Sequence, residues 1–468
     1  MLQKVLTKYW LVMSVGATAL LTWFVQPGSV NALSMTSLLW LSLLSAELFI
    51  LIPAVSRGEN LAAARSRALK SLASDPFLYV GVLMAGYLFV QWFNGGCIPE
   101  YEVNAGVWNY SRPAVSWLPF SIDRVDSFRM FNIMTACIVS GLCLRHAVGK
   151  SSKRYLLQWL GCISGALAIA ALWKGLAGIA PYAGYINHPE SSTLGSFFGF
   201  WMVMGIGAYA ESSACRQRRT EIIYVMAILC NLAGMVYFAA LPSLILYTVV
   251  GFAMLIYFGL YTSIHVSKSF LTKFYLLTLI IIISGLVLSL LVLPQSALTD
   301  KIGLTADLSE YWDNLLATKK IRSEAALKIW NESMWYGKGA EGYQHYIGSV
   351  IDDKGWSLIR VNKGLVYNDL LQMLCEFGLL GSAVFAALIL TLIIPVCHRA
   401  HIAWGHDARD NNAGRKYLLR ISPLVVAGVT ATLCCLGESF VASPYRLPAL
   451  FVSVLIVMLT MPAFLPSK

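Results

Sequence analysis

Long apolar stretches recur from one end of this chain to the other, near residues 9–25, 33–55, 77–95, 128–145, 155–175, 194–211, 220–240, 243–263, 272–293, 370–396, 421–437 and 447–464. A helix crosses a hydrocarbon core about 30 Å thick with roughly 20 such residues. The pattern therefore predicts an all-α polytopic membrane protein with about 12 transmembrane helices. The fourth stretch is interrupted by polar residues at its start, and the eleventh is short, ending at Gly437 and Glu438. Most connections are short; the exceptions are residues 96–127 and, far longer, 294–369. The chain divides accordingly into residues 1–293 with nine spans, the loop 294–369, and residues 370–468 with the last three.

Inside the long loop the pattern changes. Leu308, Tyr311, Trp312, Leu315 and Leu316 fall at i, i+3, i+4, i+7 and i+8, and Ala326, Ile329, Trp330 and Ser333 or Met334 repeat that spacing. This is the period of a helix with one apolar face, so two amphipathic helices are expected against the membrane surface. The loop also gathers 19 of the chain's 59 charged residues. Loops of this length are uncommon unless they carry function or are disordered, and this one is patterned.

Composition agrees with the spans. Hydrophobic residues make up 57% of the chain and charged residues 13%, against roughly 25% charged in a soluble domain, which excludes a water-coated globule, a disordered chain and a coiled coil. The net charge of +11 is not a nucleic-acid footprint, because no segment joins a basic stripe to a soluble binding module. It is a sidedness signal. With both termini in the cytoplasm, 21 basic residues lie inside and 14 outside, nine of the latter in the long loop, where the positive-inside rule is not counted. The first stretch, long and carrying Trp10, Trp23 and Phe24, is expected to remain as a span and not to be a cleaved signal peptide. Of ten cysteines only Cys97 falls in an expected outer loop, which leaves no external disulfide framework.

Candidate chemistry concentrates in and around the long loop. Lys319, Lys320 and Arg322 lie between the two expected helices, outside the membrane, where they cannot serve orientation. Such cations suit an anionic headgroup such as phosphate, gripped by Arg in bidentate fashion and by Lys as a point charge. As a loop cation, Arg322 is expected to bind ligand without contributing to core packing. Gly337-Lys338-Gly339-Ala340-Glu341-Gly342 permits a tight turn but lacks the order of a phosphate-binding P-loop. Asp369, Gln372 and Glu376 form one polar stripe at the mouth of the tenth span, facing a watery cavity, the bundle interior or simply solvent. His345 in the loop and His188 before the sixth span are further candidates for proton transfer.

Two segments resemble a known family. Arg322 to Gly342 (RSEAALKIWNESMWYGKGAEG) is similar to the Arg, Trp, Gly-x-Gly segment of the O-antigen ligase and polymerase family, and Tyr367 to Gly381 (YNDLLQMLCEFGLLG) resembles its HNDxLQxxxExGxxG signature. The resemblance implies a metal-independent, cofactor-free, inverting glycosyltransferase of a bacterial inner membrane, with the long loop and active site facing the periplasm. Its donor would be a glycan on undecaprenyl pyrophosphate. Its acceptor would be a hydroxyl on lipid A core, on a growing O-antigen chain or on a protein, with membrane lipids as the remaining partners. Carried over residue by residue, Arg322 would hold the pyrophosphate, and Asn368, Asp369 and Gln372 would lie near the reacting centre.

The chain departs from the pattern at Tyr367, where the family has His; a phenol with an ordinary pKa of about 10 is a poor base. The Ser-Arg usually found at the start of the eighth span is also missing, since Leu241-Pro242-Ser243-Leu244 stands there. Arg112, Arg124, Arg129, Lys174 or Arg446 could take over that contact. The expected chemistry needs cations for the leaving phosphate, an aligned acceptor oxygen and a base. Asp369, His345 and His188 are the candidate bases, and Lys319, Lys320, Lys338, Arg322, Tyr367, Asn368 and Gln372 the candidate binders. The rival class is a transporter or flippase of lipid-linked glycans, for which internal repeats and broken helices would be expected.

Overall fold

The computed structural model describes residues 32–51, 53, 59–96, 99–102, 107–110, 113–176, 191–214, 218–265, 308–351, 365–407 and 421–465, together with Gly16. The stretches expected at 9–25 and 272–293, and His188 and Arg112, lie outside these residues. The chain falls into two compact units, one made of Met1–Gly149 with Asn314–Ile394, the other of Lys150–Asp313 with Pro395–Lys468.

Among the described residues, the first unit runs in chain order through helices α1 (Ala32–Leu51), α2 (Leu61–Ala73) and α3 (Pro76–Phe93). A short antiparallel pair follows, β1 (Pro99–Glu102) and β2 (Val107–Tyr110), with Pro99 opposite Tyr110 and Glu102 opposite Val107. This ribbon between α3 and the next helix is a small addition to the helical architecture. Helix α4 (Arg124–His146) packs on α1 and α3. The starts are written in the sequence as caps: Asn60, Asp75 and Asp123 accept the amides of Ala63, Phe77 and Val125 at 2.8, 3.0 and 2.7 Å, satisfying donors that a helix leaves orphaned.

The second unit contains α5 (Lys150–Leu176), α6 (Ser191–Ala214), α7 (Arg218–Phe238) and α8 (Leu241–His265). Helix α6 is apolar all round and is buried among its neighbours α5, α7 and α8, as expected of a helix at the centre of a bundle. The chain then returns to the first unit through α9 (Leu308–Glu332), α10 (Gly342–Val350) and the long α11 (Asp369–Asp407), of which residues beyond Ile394 belong to the second unit. Helices α12 (Pro423–Glu438) and α13 (Pro448–Thr460) complete the second unit. There Ser196, Ser243 and Tyr247 all donate to the buried carboxylate of Glu438, and Trp201 Nε1 donates to Ser453 Oγ at 3.1 Å.

Among the described residues, seven helices are long and apolar enough to cross a membrane, and three shorter apolar helices accompany them. Ten of the twelve expected stretches coincide with helices among the described residues. The long loop differs from expectation. Its two amphipathic segments are one continuous helix, α9, running through Lys319, Lys320 and Arg322. The reason is visible in the residues: no Gly or Pro interrupts Leu308–Glu332, and Thr318, Arg322, Ala325 and Ile329 carry a single stripe across the expected junction at spacings of four, three and four.

Candidate functional site

The site is organised by a break in α11. Gly378 has φ 61° and ψ −168°, a conformation essentially reserved for glycine, and it splits the helix within the tenth apolar stretch. Such a break frees backbone groups that hydrocarbon cannot satisfy. The Gly-rich turn after α9 takes them up. Lys338 N and Gly339 N donate to the carbonyls of Cys375 and Glu376 at 2.9 and 2.8 Å, while Leu379 N and Leu380 N donate to those of Met334 and Trp335 at 2.9 and 3.1 Å. Gly337, with φ 69°, makes the approach possible: a Cβ there would lie 2.4 Å from the Glu376 carbonyl carbon.

Helix α3 closes the other side. Tyr87 Oη donates to the carbonyl oxygens of Phe377 and Tyr336, at 2.7 and 2.9 Å. Gln91 Nε2 donates to Glu376 and Tyr336 oxygens at 3.3 and 3.4 Å. Neither residue was singled out in the sequence, yet Gln91 left a signal, being the one amide or charged side chain in Pro76–Phe93. Polar groups in membrane helices tend to have a partner of this kind.

The first turn of α11 lies against α9. Arg322 is only 2% exposed. It donates through Nη1 to the Leu365 carbonyl oxygen, and its guanidinium carbon stands 4.8 Å from the centre of the Tyr367 ring. Burial pulls its pKa down, opposed by the neighbouring Tyr367 and Tyr343 phenols. The expectation that Arg322 stands outside the core is therefore corrected: it is buried, and α9 presents it on the same stripe as Ala325 and Ile329, which cluster with Tyr343, Val366 and Cys375. Tyr367 itself has φ 58°, a left-handed conformation that a bulky residue rarely adopts. Asn368 caps α11, its Oδ1 accepting from Leu370 N and Leu371 N at 3.1 and 3.2 Å.

The polar stripe turns inward. Gln372 and Glu376 are each 2% exposed, with Gln372 Nε2 donating to Glu376 Oε1 at 3.1 Å and Gln372 Oε1 accepting from Val366 N at 3.3 Å. Asp369 is half-buried at the start of the same stripe. Lys319 shares the face of Arg322 one turn earlier and is half-buried, which lowers its pKa; Lys320 lies exposed on another face.

Two other candidates go elsewhere in this unit. Lys338 pairs with Glu332 at 3.0 Å and lies 4.2 Å from the centre of the Tyr346 ring. His345 Nε2 stands 3.7 Å from Asp126 Oδ2 on α4, and that carboxylate raises the imidazole pKa against the effect of burial, which works against a free base. Of the residues offered for the missing second cation, Arg124 donates to the carbonyl oxygens of Phe93, which ends α3, and of Gly95 just beyond it. Arg129 pairs with Asp126 at 3.0 Å. No known protein family and no curated protein matches this chain.

Proposed function

We propose that this chain is an inverting membrane glycosyltransferase of the O-antigen ligase type, moving a glycan from undecaprenyl pyrophosphate to an acceptor hydroxyl at the periplasmic face of a bacterial inner membrane. The reading includes about 12 spans with both termini in the cytoplasm, and lipid A core as the acceptor. One observation carries it: the buried Arg322 guanidinium, stacked under Tyr367, sits beside the polar first turn of α11. A guanidinium is the side chain best shaped for a pyrophosphate, and the N-terminus of α11 adds partial positive charge toward an anion. Arg322 would stabilise charge on the departing pyrophosphate. Lys319, on the same helix face, would reinforce it, Tyr367 would bear on a sugar ring, and Asp369 would take the acceptor proton.

A second reading, transport of the lipid-linked glycan, draws on the broken α11, since transporters use discontinuous helices to coordinate their cargo. The break weighs less than it first suggests: the amides of Leu379 and Leu380 and the carbonyls of Cys375, Glu376 and Phe377 are already taken by the 334–339 turn and by Tyr87. The experiment offers purified protein an undecaprenyl-pyrophosphate glycan with lipid A core, glycan and protein acceptors in turn. Transfer to lipid A core supports the reading, transfer only to another acceptor moves the chain within the family type, and vesicle translocation without transfer supports the rival.

A further inference from the structure

Asp123, Asp126 and His345 meet at the junction of α4 and α10, and one ligand atom from each lies within 4.8 Å of the others. We infer that these three side chains form a binding site for one divalent metal ion of the zinc class, taking an imidazole nitrogen and two carboxylate oxygens and pinning α10 to the first turn of α4.

The two carboxylates leave an oxygen each for such an ion. Asp123 uses Oδ1 to cap α4 and Asp126 uses Oδ1 for Arg129, so each carboxylate keeps a second oxygen, and Asp126 Oδ2 is the one facing His345 Nε2. Bonds of about 2.1 Å in a tetrahedral shell set ligand atoms about 3.4 Å apart, so closure from the observed spacing is a matter of side-chain adjustment. All three residues are half-buried, leaving room for water to complete the shell.

Charge points the same way. Asp126, Asp123 and Glu341 all bear on His345, and Arg129 pairs with Asp126; a divalent ion would add positive charge where these carboxylates converge. The mixed nitrogen and oxygen set favours a borderline ion such as Zn²⁺, because Mg²⁺ and Ca²⁺ prefer oxygen alone. The consequence reaches the break in α11. The 337–342 turn that caps it joins α9 to α10, and Ile122 N donates to Lys338 O at 3.3 Å just before Asp123. A metal at Asp123, Asp126 and His345 would hold that turn from its far side. This inference does not depend on the glycan reading.

The test uses the full chain, purified without a polyhistidine tag, stripped with chelator and titrated with Zn²⁺ by calorimetry while hydrogen exchange is followed over residues 342–350. One Zn²⁺ per chain and slowed exchange in α10 are expected. Asp123→Asn, which keeps its cap, Asp126→Asn and His345→Gln should each weaken binding by more than about tenfold, the lower bound for outer-shell losses. Arg129→Gln should strengthen it by releasing Asp126. Absence of Zn²⁺ binding, binding untouched by all three ligand variants, or preference for Mg²⁺ or Ca²⁺ would overturn the inference.

Discussion

Replacing Gly378 by alanine tests the structural centre of this site. Two costs are worked from the geometry. A non-glycine residue at φ 61°, ψ −168° is held in a region that costs on the order of 1–3 kcal/mol. Its Cβ would also lie 2.4 Å from the backbone carbon of Trp335 and 2.5 Å from the amide nitrogen of Tyr336, atoms that cannot swing aside as a side-chain tip would. Overpacking of that kind adds about 1–3 kcal/mol, for a total of roughly 2–6 kcal/mol. Restoring regular helix at 378 instead would strand Lys338 N, Gly339 N and the carbonyls of Met334 and Trp335, which now pair across the break. Thermal unfolding in detergent should fall by on the order of 4–24 °C, at the 2–4 °C per kcal/mol typical of 150–250 residues, and exchange at Leu379 and Leu380 should quicken. Gly86→Ala is the control, since nothing lies within 4 Å of a Cβ there and a helical Gly→Ala change is neutral to mildly stabilising. A Gly378→Ala protein that melts within about 1 °C of the parent, with unchanged exchange, would refute the reasoning that the break is built in.

Tyr367→Phe preserves the ring over Arg322 and should retain a measurable transfer rate, whereas Asp369→Asn should lose about 10²- to 10⁴-fold, as for removal of a general base; steady-state kinetics of both decide. A cysteine engineered at Ser349 should react with an impermeant reagent from the periplasmic side and one at Ser66 should not, following the charge bias between the two sides. Asp75 is paired with Arg145 at 3.0 Å and with His146 at 2.6 Å. Burial opposes its ionisation, but His146, the Phe77 amide and Arg145 outweigh it and hold the carboxyl below its ordinary value. A depressed carboxylate stabilises above its unfolded pKa of about 3.9, and that contribution disappears as pH falls through the folded pKa. Melting temperature should therefore drop below about pH 4, and Asp75→Asn, which keeps the helix cap, should be less stable at neutral pH and lack this part of the acid sensitivity.

The helices were legible because twenty-residue apolar runs leave little choice, and the caps Asn60, Asp75 and Asp123 stand in the sequence at their starts. The junction expected in α9 was misread because a basic cluster resembles a break when the helical phase across it is not followed. Arg322 falls on the phase of Ala325 and Ile329, and that periodicity decides its burial over its charge. The three glycines after Trp330 announced a turn, while its partner could not be read: Glu376 and Gly378 lie some forty residues further on, and backbone pairing across such a distance leaves no local pattern. His345 looked like a base in isolation. Its Asp126 neighbour comes from a helix more than 200 residues earlier.

The central claim is tested most directly by single-turnover transfer from a purified undecaprenyl-pyrophosphate glycan to lipid A core, comparing the parent protein with Arg322→Lys and Arg322→Ala. Because Arg322 is buried, each variant is first matched to the parent by melting temperature, and Arg322→Lys, which keeps the charge, is the decisive one. The account predicts turnover by the parent and a rate cut by at least about tenfold in a folded Arg322→Lys protein, since lysine cannot reproduce a bidentate grip on pyrophosphate. Parent protein that binds the donor and leaves it uncleaved with every acceptor, or an Arg322→Lys protein as fast as the parent, would contradict it.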